Sequence, residues 1–282
     1  MVGEQHIREA VASCGLVEGK DFNITVYSAQ GDMPTLLTIF DTAIARGGDL
    51  LVPLQPESLQ ICAAKKTDIP IVFHLAADPF KLKIAKSDTE HQANITGAYV
   101  YSDEKGMDEY IQAIKACMPN AKTVGMLHVP GEIVSAEFTD KLIVAAKKIF
   151  EVAAVPIYDR ASVKLAIEML LEKKPDAVIA VYASFIDAMP SVLIDACKAK
   201  KIPVFGLLED QVKAGAVAAF TVDFKEGGHE VGKMIYRILK GESPEKIPLF
   251  PIKNGVNYVN NEALKYFGIK IPSELGPTQP VD

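Results

Sequence analysis

The sequence predicts an α/β protein of doubly wound parallel sheets, and three observations carry that reading. Strand-like runs alternate with helix-like runs over the whole length. The strand-like runs are continuous apolar stretches, such as PIVFHL (70–75), DAVIAVY (176–182) and AVAAFTV (216–222), as sheets covered on both faces require. The series divides near residue 100 into two similar halves.

In order, a helix over 4–14 ends at Gly15 and a strand over 22–27 (FNITVY) follows. The turn Gln30-Gly31-Asp32 then opens a helix over 33–46, with Asp32 at the N-cap and Pro34 in the first turn, where a missing N–H costs nothing. After Gly47-Gly48 come a strand over 49–54, a turn at Gln55-Pro56, a helix over 57–65, a strand over 70–75 and the loop 76–79. Residues 80–95 are polar and weakly periodic, which reads as a loop with one short helix. A strand over 96–101 closes this half.

The second half reads as helix 105–118, strand 122–128, helix 135–149, strand 153–158, helix 161–173, strand 176–182, helix 186–199, strand 202–207, a short helix at 209–213 and strand 216–222. Helix 226–240 ends at Gly241. Two short strands (247–252 and 256–259), a helix over 261–267 and a polar, Pro-containing tail over 273–282, expected to fray, complete the chain. A doubly wound half should open with a strand, yet this one opens inside a helix. The first strand of the 2-1-3-4-5 order is therefore missing, so 22–27 and 49–54 should each lack a neighbour. Either the chain begins upstream of Met1 or another segment fills that place.

The 282 residues suffice for two domains of ordinary size, and 49% are apolar. A net charge of -6 argues against nucleic-acid partners and anionic membranes. No apolar run reaches the roughly 18–20 residues that span a bilayer. Cys14, Cys62, Cys117 and Cys197 form no CxxC pair and have no histidine cluster beside them, so they read as buried free thiols. Val11-Ala12-Ser13-Cys14 resembles a lipoprotein cleavage box, but the ten residues before it are polar, and the chain shows no signal peptide.

Catalytic and cofactor motifs are scarce. Gly15-x-x-x-Gly19-Lys20 has the wrong spacing for a phosphate loop, and no GxGxxG or GxSxG occurs. The five histidines form no ligand pair at helical spacing. These features predict no metal, no cofactor and no enzyme. The informative signal is position, since open parallel sheets bind ligands beyond the carboxyl ends of their strands. The segments there are Gln55–Ser58, His74–Phe80, His128–Glu132, Tyr182–Phe185 and Leu208–Asp210. Their mixture of rings, amides, hydroxyls and carboxylates suits a small molecule with a planar part and an ammonium or hydroxyl group. For each carboxylate the competing role is an N-cap, and for His74 and His128 a hydrogen-bonded strand end.

Several phrases carry a resemblance: VEGKDFNITVYSAQGDM (17–33), TDIPIVFHLAADP (67–79), NITGAYV (94–100), MPNAKTVGMLHVPGE (118–132), KKIPVFGLLEDQVKAGAVAAFTVDF (200–224) and GKMIYRILKGESPEKIP (232–248). Through them the chain resembles the bacterial ABC-importer substrate-binding proteins of the tryptophan/tyrosine-binding type, which have the type I periplasmic binding-protein fold. The resemblance implies two α/β lobes hinged by crossings near 96–103, 217–224 and 248–254. Lobe 1 would span 1–98 with 224–250, and lobe 2 would span 102–218. It also implies a monomer outside the cytoplasmic membrane, a small-molecule ligand held by lobe closure and a membrane permease as partner. Relatives begin with a strand and a loop that lie upstream of Met1 here. They read Thr-Asp-Pro where this chain has Ala77-Asp78-Pro79, Pro-Thr-Asp-Asn where it has Val181-Tyr182-Ala183-Ser184, and Gly-Thr-Pro-Ala where it has Gln55-Pro56-Glu57-Ser58. An acidic position is thus lost at Ala183, and the pocket is re-specified.

The expected ligand contacts are Gln55, Ser58, His74 and Asp78 from lobe 1. From lobe 2 they are His128, Glu132, Tyr182, Ser184, Phe185, Glu209 and Asp210. Tyr182 or Phe185 would stack, and Asp78 or Glu209 would receive an ammonium or hydroxyl. The alternative is a ligand-sensing domain of a regulatory or signalling protein, distinguished by what is encoded upstream.

Overall fold

The computed structural model describes residues 2–29, 32–65, 67–75, 78–100 and 104–281. The chain forms two compact units, Met1–Tyr101 with Val222–Asn254 (unit 1) and Ser102–Thr221 with Gly255–Asp282 (unit 2).

Unit 1 opens with α1 (Val2–Ser13), α2 (Met33–Ala45) and α3 (Pro56–Ala64), followed by β1 (Ile71–Leu75), β2 (Ala85–Ser87), β3 (Glu90–His91) and β4 (Ile95–Val100). Asp32 caps α2, its Oδ2 accepting from Thr35 N at 2.9 Å, with Pro34 in the first turn. The rest of the predicted turn, Gln30-Gly31, lies outside the described residues. Unit 2 continues with α4 (Glu104–Cys117), β5 (Thr123–His128), α5 (Ile133–Ala146), β6 (Glu151–Pro156), α6 (Val163–Glu172), β7 (Ala177–Ile179), α7 (Ser184–Asp187), α8 (Pro190–Ala199), β8 (Val204–Gly206), α9 (Glu209–Lys213) and β9 (Ala218–Val222). The chain returns to unit 1 for α10 (Phe224–Leu239) and β10 (Phe250–Ile252). It ends in unit 2 with β11 (Gly255–Val259), α11 (Asn261–Phe267) and β12 (Gln279–Pro280).

In unit 1 the parallel order β1-β4-β10 pairs Phe73 with Gly97 and Ala98 with Phe250. Strand alternation sorts the side chains. Ile71 and Phe73 pack with α2 and α3 side chains such as Phe40 and Leu59, while Val72 and Ala98 pack with Ile7, Val11 and Val231 of α1 and α10. α1 lies close to α10 because two glycines one turn apart leave room. A Cβ on Gly228 would sit 2.7 Å from His6 Cβ, and one on Gly232 2.3 Å from Ala10 Cβ. Gly232→Val is therefore expected to push the helices apart and cost about 3 kcal/mol, read as a fall in the chemical denaturation midpoint.

Unit 2 has the sheet order β12-β11-β9-β8-β7-β5-β6, with β5 paired in parallel to both β6 and β7, and β7, β8 and β9 continuing in parallel. Val124, Met126, Ala177 and Ile179 pack with α4 and α5, and Leu127, Val178 and Ala180 with α6 and α8.

Several sequence expectations need correction. Phe22–Tyr27 forms no strand; its one bridge joins Glu18 to Phe22. Of 49–54, the part around Leu51 lies along one side of β1. Leu51 N donates to Pro70 O at 2.9 Å, and Val72 N donates to Leu51 O at 2.9 Å. Within the expected loop 80–95, β2 and β3 form an antiparallel hairpin. The helix expected over 186–199 breaks into α7 and α8 at Pro190, which has no N–H and whose ring clashes with the carbonyl of residue 186. The tail is also ordered rather than frayed. Asn257 Nδ2 donates to Leu275 O at 2.7 Å, and Val281 N donates to Val259 O at 2.9 Å, which places β12 beside β11.

Candidate functional site

Parallel strands deliver their loops to one edge, and in unit 2 the loops after β5, β7 and β8 bring polar groups there. β5 ends at His128, which is partly buried, and Glu132 follows as the N-cap residue of α5 without a side-chain cap bond. After β7, Tyr182 shares a hydrogen bond with Thr221, and its ring lies 5.0 Å from that of Phe138 on α5. Burial pushes the Tyr182 phenol well above its ordinary range, so it is a neutral donor and acceptor at physiological pH.

The break at Pro190 makes Asp187 the last residue of α7. Its carboxylate reaches back along the chain, Oδ2 accepting from Ala183 N at 3.0 Å. Oδ1 accepts from Gln211 Nε2 at 2.9 Å. Gln211 is 1% exposed, and its Oε1 accepts from Leu207 N at 2.7 Å and Leu208 N at 3.2 Å. A Cβ at Gly206 would stand 2.8 Å from that Oε1, so Gly206 is what lets the amide tuck under the end of β8. Burial, reinforced by the charges of Glu132 and Asp210, pushes Asp187 up to about 7 against the two hydrogen bonds that favour its ionised form.

Of the expected contacts in this unit, Glu132, Tyr182 and Asp210 gather electrostatically around Asp187. Glu209 is 8% exposed and pairs with Lys213 at 3.0 Å. Phe185 packs against the core between the sheet and α6 and α8. The Ser184 side chain lies outside the described residues.

Unit 1 offers less. Ser58 Oγ accepts from Gln55 N at 3.2 Å and donates to Gln55 O at 2.7 Å, which caps α3. Asp78 Oδ1 accepts from Phe80 N at 2.9 Å and Lys81 N at 3.2 Å, a turn-capping role. His74 is 5% exposed and packs against Gly227 and Phe224 of α10, inside the core rather than at the rim. Ala76 and Ala77 of this loop lie outside the described residues. A shallow depression of about 270 Å³ is lined by Tyr27, Pro34, Thr35, Thr38, Ile39 and Thr42. Thr38 and Thr42 donate back into α2, to Pro34 O at 3.1 Å and Thr38 O at 2.8 Å, leaving it little chemistry.

Asp187, Gln211 and Phe138 were not singled out by the sequence. Asp187 bonds backwards across a four-residue helix that the pattern does not show, and Gln211 reads as an ordinary helix residue. Cys62, Cys117 and Cys197 are buried, and burial raises each thiol to about 12, so they are inert. Among the described residues no group of three or more His, Cys, Asp or Glu side chains could hold a metal ion, and no helix is long and apolar enough to cross a membrane.

The chain is 27% identical over 258 residues to a tyrosine-binding protein of Clostridioides difficile, covering 91% of this chain and 74% of that protein. Among solved structures it is similar to the ABC domain in complex with L-Trp from Streptococcus pneumoniae. The TM-score is 0.82 at 23% identity, over 96% of this chain and 91% of that one. It is also similar to a conserved domain protein from Vibrio cholerae, with a TM-score of 0.84 at 24% identity over 97% and 91% of the two chains. These likenesses place the fold among the type I periplasmic binding proteins. Residues 3–278 match the family model described as ABC transporter substrate binding protein, and the chain belongs to that family.

Proposed function

We propose that this chain captures an amino-acid-like or aromatic small molecule outside the cytoplasmic membrane and delivers it to the permease of an ABC importer. It works as a monomer, without cofactor or turnover. The observation that carries the ligand class is the meeting of the Tyr182–Phe138 ring pair with Asp187, Glu132 and Asp210 at the carboxyl edge of unit 2. A planar ligand would lie against the rings, with its polar end toward the carboxyl groups. His128 stands at the end of β5 on the same edge. The tyrosine named for one relative and the L-Trp in another's crystal point to the same ligand class. Micromolar affinity requires about 8 kcal/mol net, within reach of one stacked ring and several hydrogen bonds.

The test is a thermal-shift screen of the twenty amino acids, small aromatic acids and simple sugars. A ligand that binds only the folded protein raises the melting temperature in a dose-dependent way. Aromatic amino acids are expected to give the largest rise. Tyr182→Ala should weaken the best of them about tenfold or more through lost ring contact. A response to sugars alone would overturn the ligand class.

A further inference from the structure

The sheet of unit 1 has an open edge. The chain around Leu51 runs beside β1, and it bonds there through odd-numbered residues only. Leu51 N donates to Pro70 O and Leu51 O accepts from Val72 N, both at 2.9 Å, and Pro53 O accepts from His74 N at 3.2 Å. In a parallel ladder the residues between turn their N–H and C=O groups the other way. Those of Leu50, Val52 and Leu54 have no partner among the described residues. The three side chains are partly buried against the α1 and α10 layer, so this segment belongs to the sheet and not to a surface loop. None of them is a proline or lysine of the kind that blunts a natural edge. From Asn23 to Tyr27 the extended backbone likewise has no partner among the described residues.

The helices say what lies between the two segments. Crossovers between parallel strands are right-handed, so helices on opposite faces of a sheet belong to steps in opposite directions. α2 and α3 share one face, where Phe40 and Leu59 pack with Phe73. They carry the chain one way, from 22–27 to 49–54 and on to β1. α1 lies on the other face, with Ile7 and Val11 against Val72 and Ala98. The step through α1 into 22–27 therefore runs the other way, and it starts on the β1 side of 22–27. That place adjoins the free edge of Leu50, Val52 and Leu54. The cover over α2 is thin in the same region. Of its described apolar side chains only Phe40 is buried, and Leu37 is 45% exposed. The depression lined by Tyr27, Pro34 and Thr38 lies between the end of 22–27 and α2.

We propose that unit 1 accepts one further β-strand, parallel to the segment around Leu51 and seated between it and 22–27, and that this strand belongs to a segment joined directly ahead of α1. It is an extended run of about five residues, an ordinary strand length. It is apolar on both sides, because helices cover both faces of this sheet. Its backbone takes up the free groups of Leu50, Val52 and Leu54.

The experiment is residue-resolved amide exchange on the 282-residue chain and on the same chain extended by the codons that precede Met1 in its own reading frame. In the shorter chain Leu50, Val52 and Leu54 are expected to exchange as open chain while Val72 and His74 are protected. In the extended chain those three amides should slow about tenfold or more. A proline at the centre of the added run should undo the slowing, because it removes a donor and breaks the ladder. A stop codon met in frame before any apolar run of strand length overturns the proposal. So does exchange at Leu50, Val52 and Leu54 that the extension leaves unchanged. Protection of those amides already in the shorter chain overturns it too, and protection that grows with protein concentration would assign the edge to a second copy. If the shorter chain shows no protected core, the extended chain decides alone: Leu50, Val52 and Leu54 protected together with Val72 upholds the proposal, and Val72 protected without them overturns it.

Discussion

Gly97→Ala is expected to destabilise unit 1 by about 2–6 kcal/mol. Gly97 pairs with Phe73 across the β1–β4 ladder at φ 153°, where L side chains are strained. A Cβ there would lie 2.3 Å from Phe73 O and 2.6 Å from Phe73 N. Those are backbone atoms of β1, which is held by β4 on one side and by hydrogen bonds to Leu51 and Pro53 on the other, so they cannot readily move aside. Strained backbone costs about 1–3 kcal/mol and overpacking another 1–3 kcal/mol, against a total stability of about 5–15 kcal/mol for an ordinary domain. Amide exchange should show β1, β4 and β10 losing protection while β5 to β8 keep theirs. Gly15→Ala is the control. Its φ is +87° but nothing lies within 4 Å of the added carbon, so a loss of about 1 kcal/mol is expected. Similar losses from the two substitutions would show that the close approach at Phe73 does not govern the sheet.

Acidification from pH 6.5 to 4 is expected to cost unit 1 about 3 kcal/mol through one histidine. His74 is 5% exposed with no hydrogen-bond partner on Nδ1, and burial, followed by the charge of His6, pushes it down to about 4. Above pH 6.5 the imidazole is neutral in both states. Below it the unfolded chain binds a proton that the fold refuses, so stability falls as pH falls. The slope ends near pH 4, where the folded form also protonates. His74→Leu should flatten this part of the profile in urea unfolding at pH 7 and 4.5. Asp187 has the opposite sign. Its folded value is raised from 3.8 to about 7, so its contribution is fully present below pH 3.8 and is lost as pH rises through 7. Unit 1 should loosen with acid while Asp187 alone makes unit 2 tighter, and amide exchange followed unit by unit separates the two. Equal profiles for wild type and His74→Leu would contradict the burial argument.

The legible part of the fold was the part written in local chemistry. Asp32 and Pro34 mark the start of α2, Gly15 and Gly241 stand just past the ends of α1 and α10, and the apolar runs place most of the strands. Phe22–Tyr27 has strand composition, but composition supplies no partner, and a strand without a ladder is only extended chain. The β2–β3 hairpin escaped because its strands are only three and two residues long, too short for an alternation to show. Within the candidate site, Tyr182, Glu132 and Asp210 could be chosen from their place after apolar runs. His74 occupies a similar place, yet strand alternation turns it toward α10 and the core. Asp187 and Gln211 depend on a helix break and an amide orientation, both settled by packing three segments together.

The central claim is that a small molecule binds at the carboxyl edge of the unit 2 sheet. Amide hydrogen exchange of the full chain, with and without saturating L-tyrosine or L-tryptophan, tests it most directly. Protection is expected to rise at 128–132, 182–187 and 207–211, with the helices α6 and α8 unchanged. Binding detected by calorimetry without added protection in any of those three segments would contradict the claim.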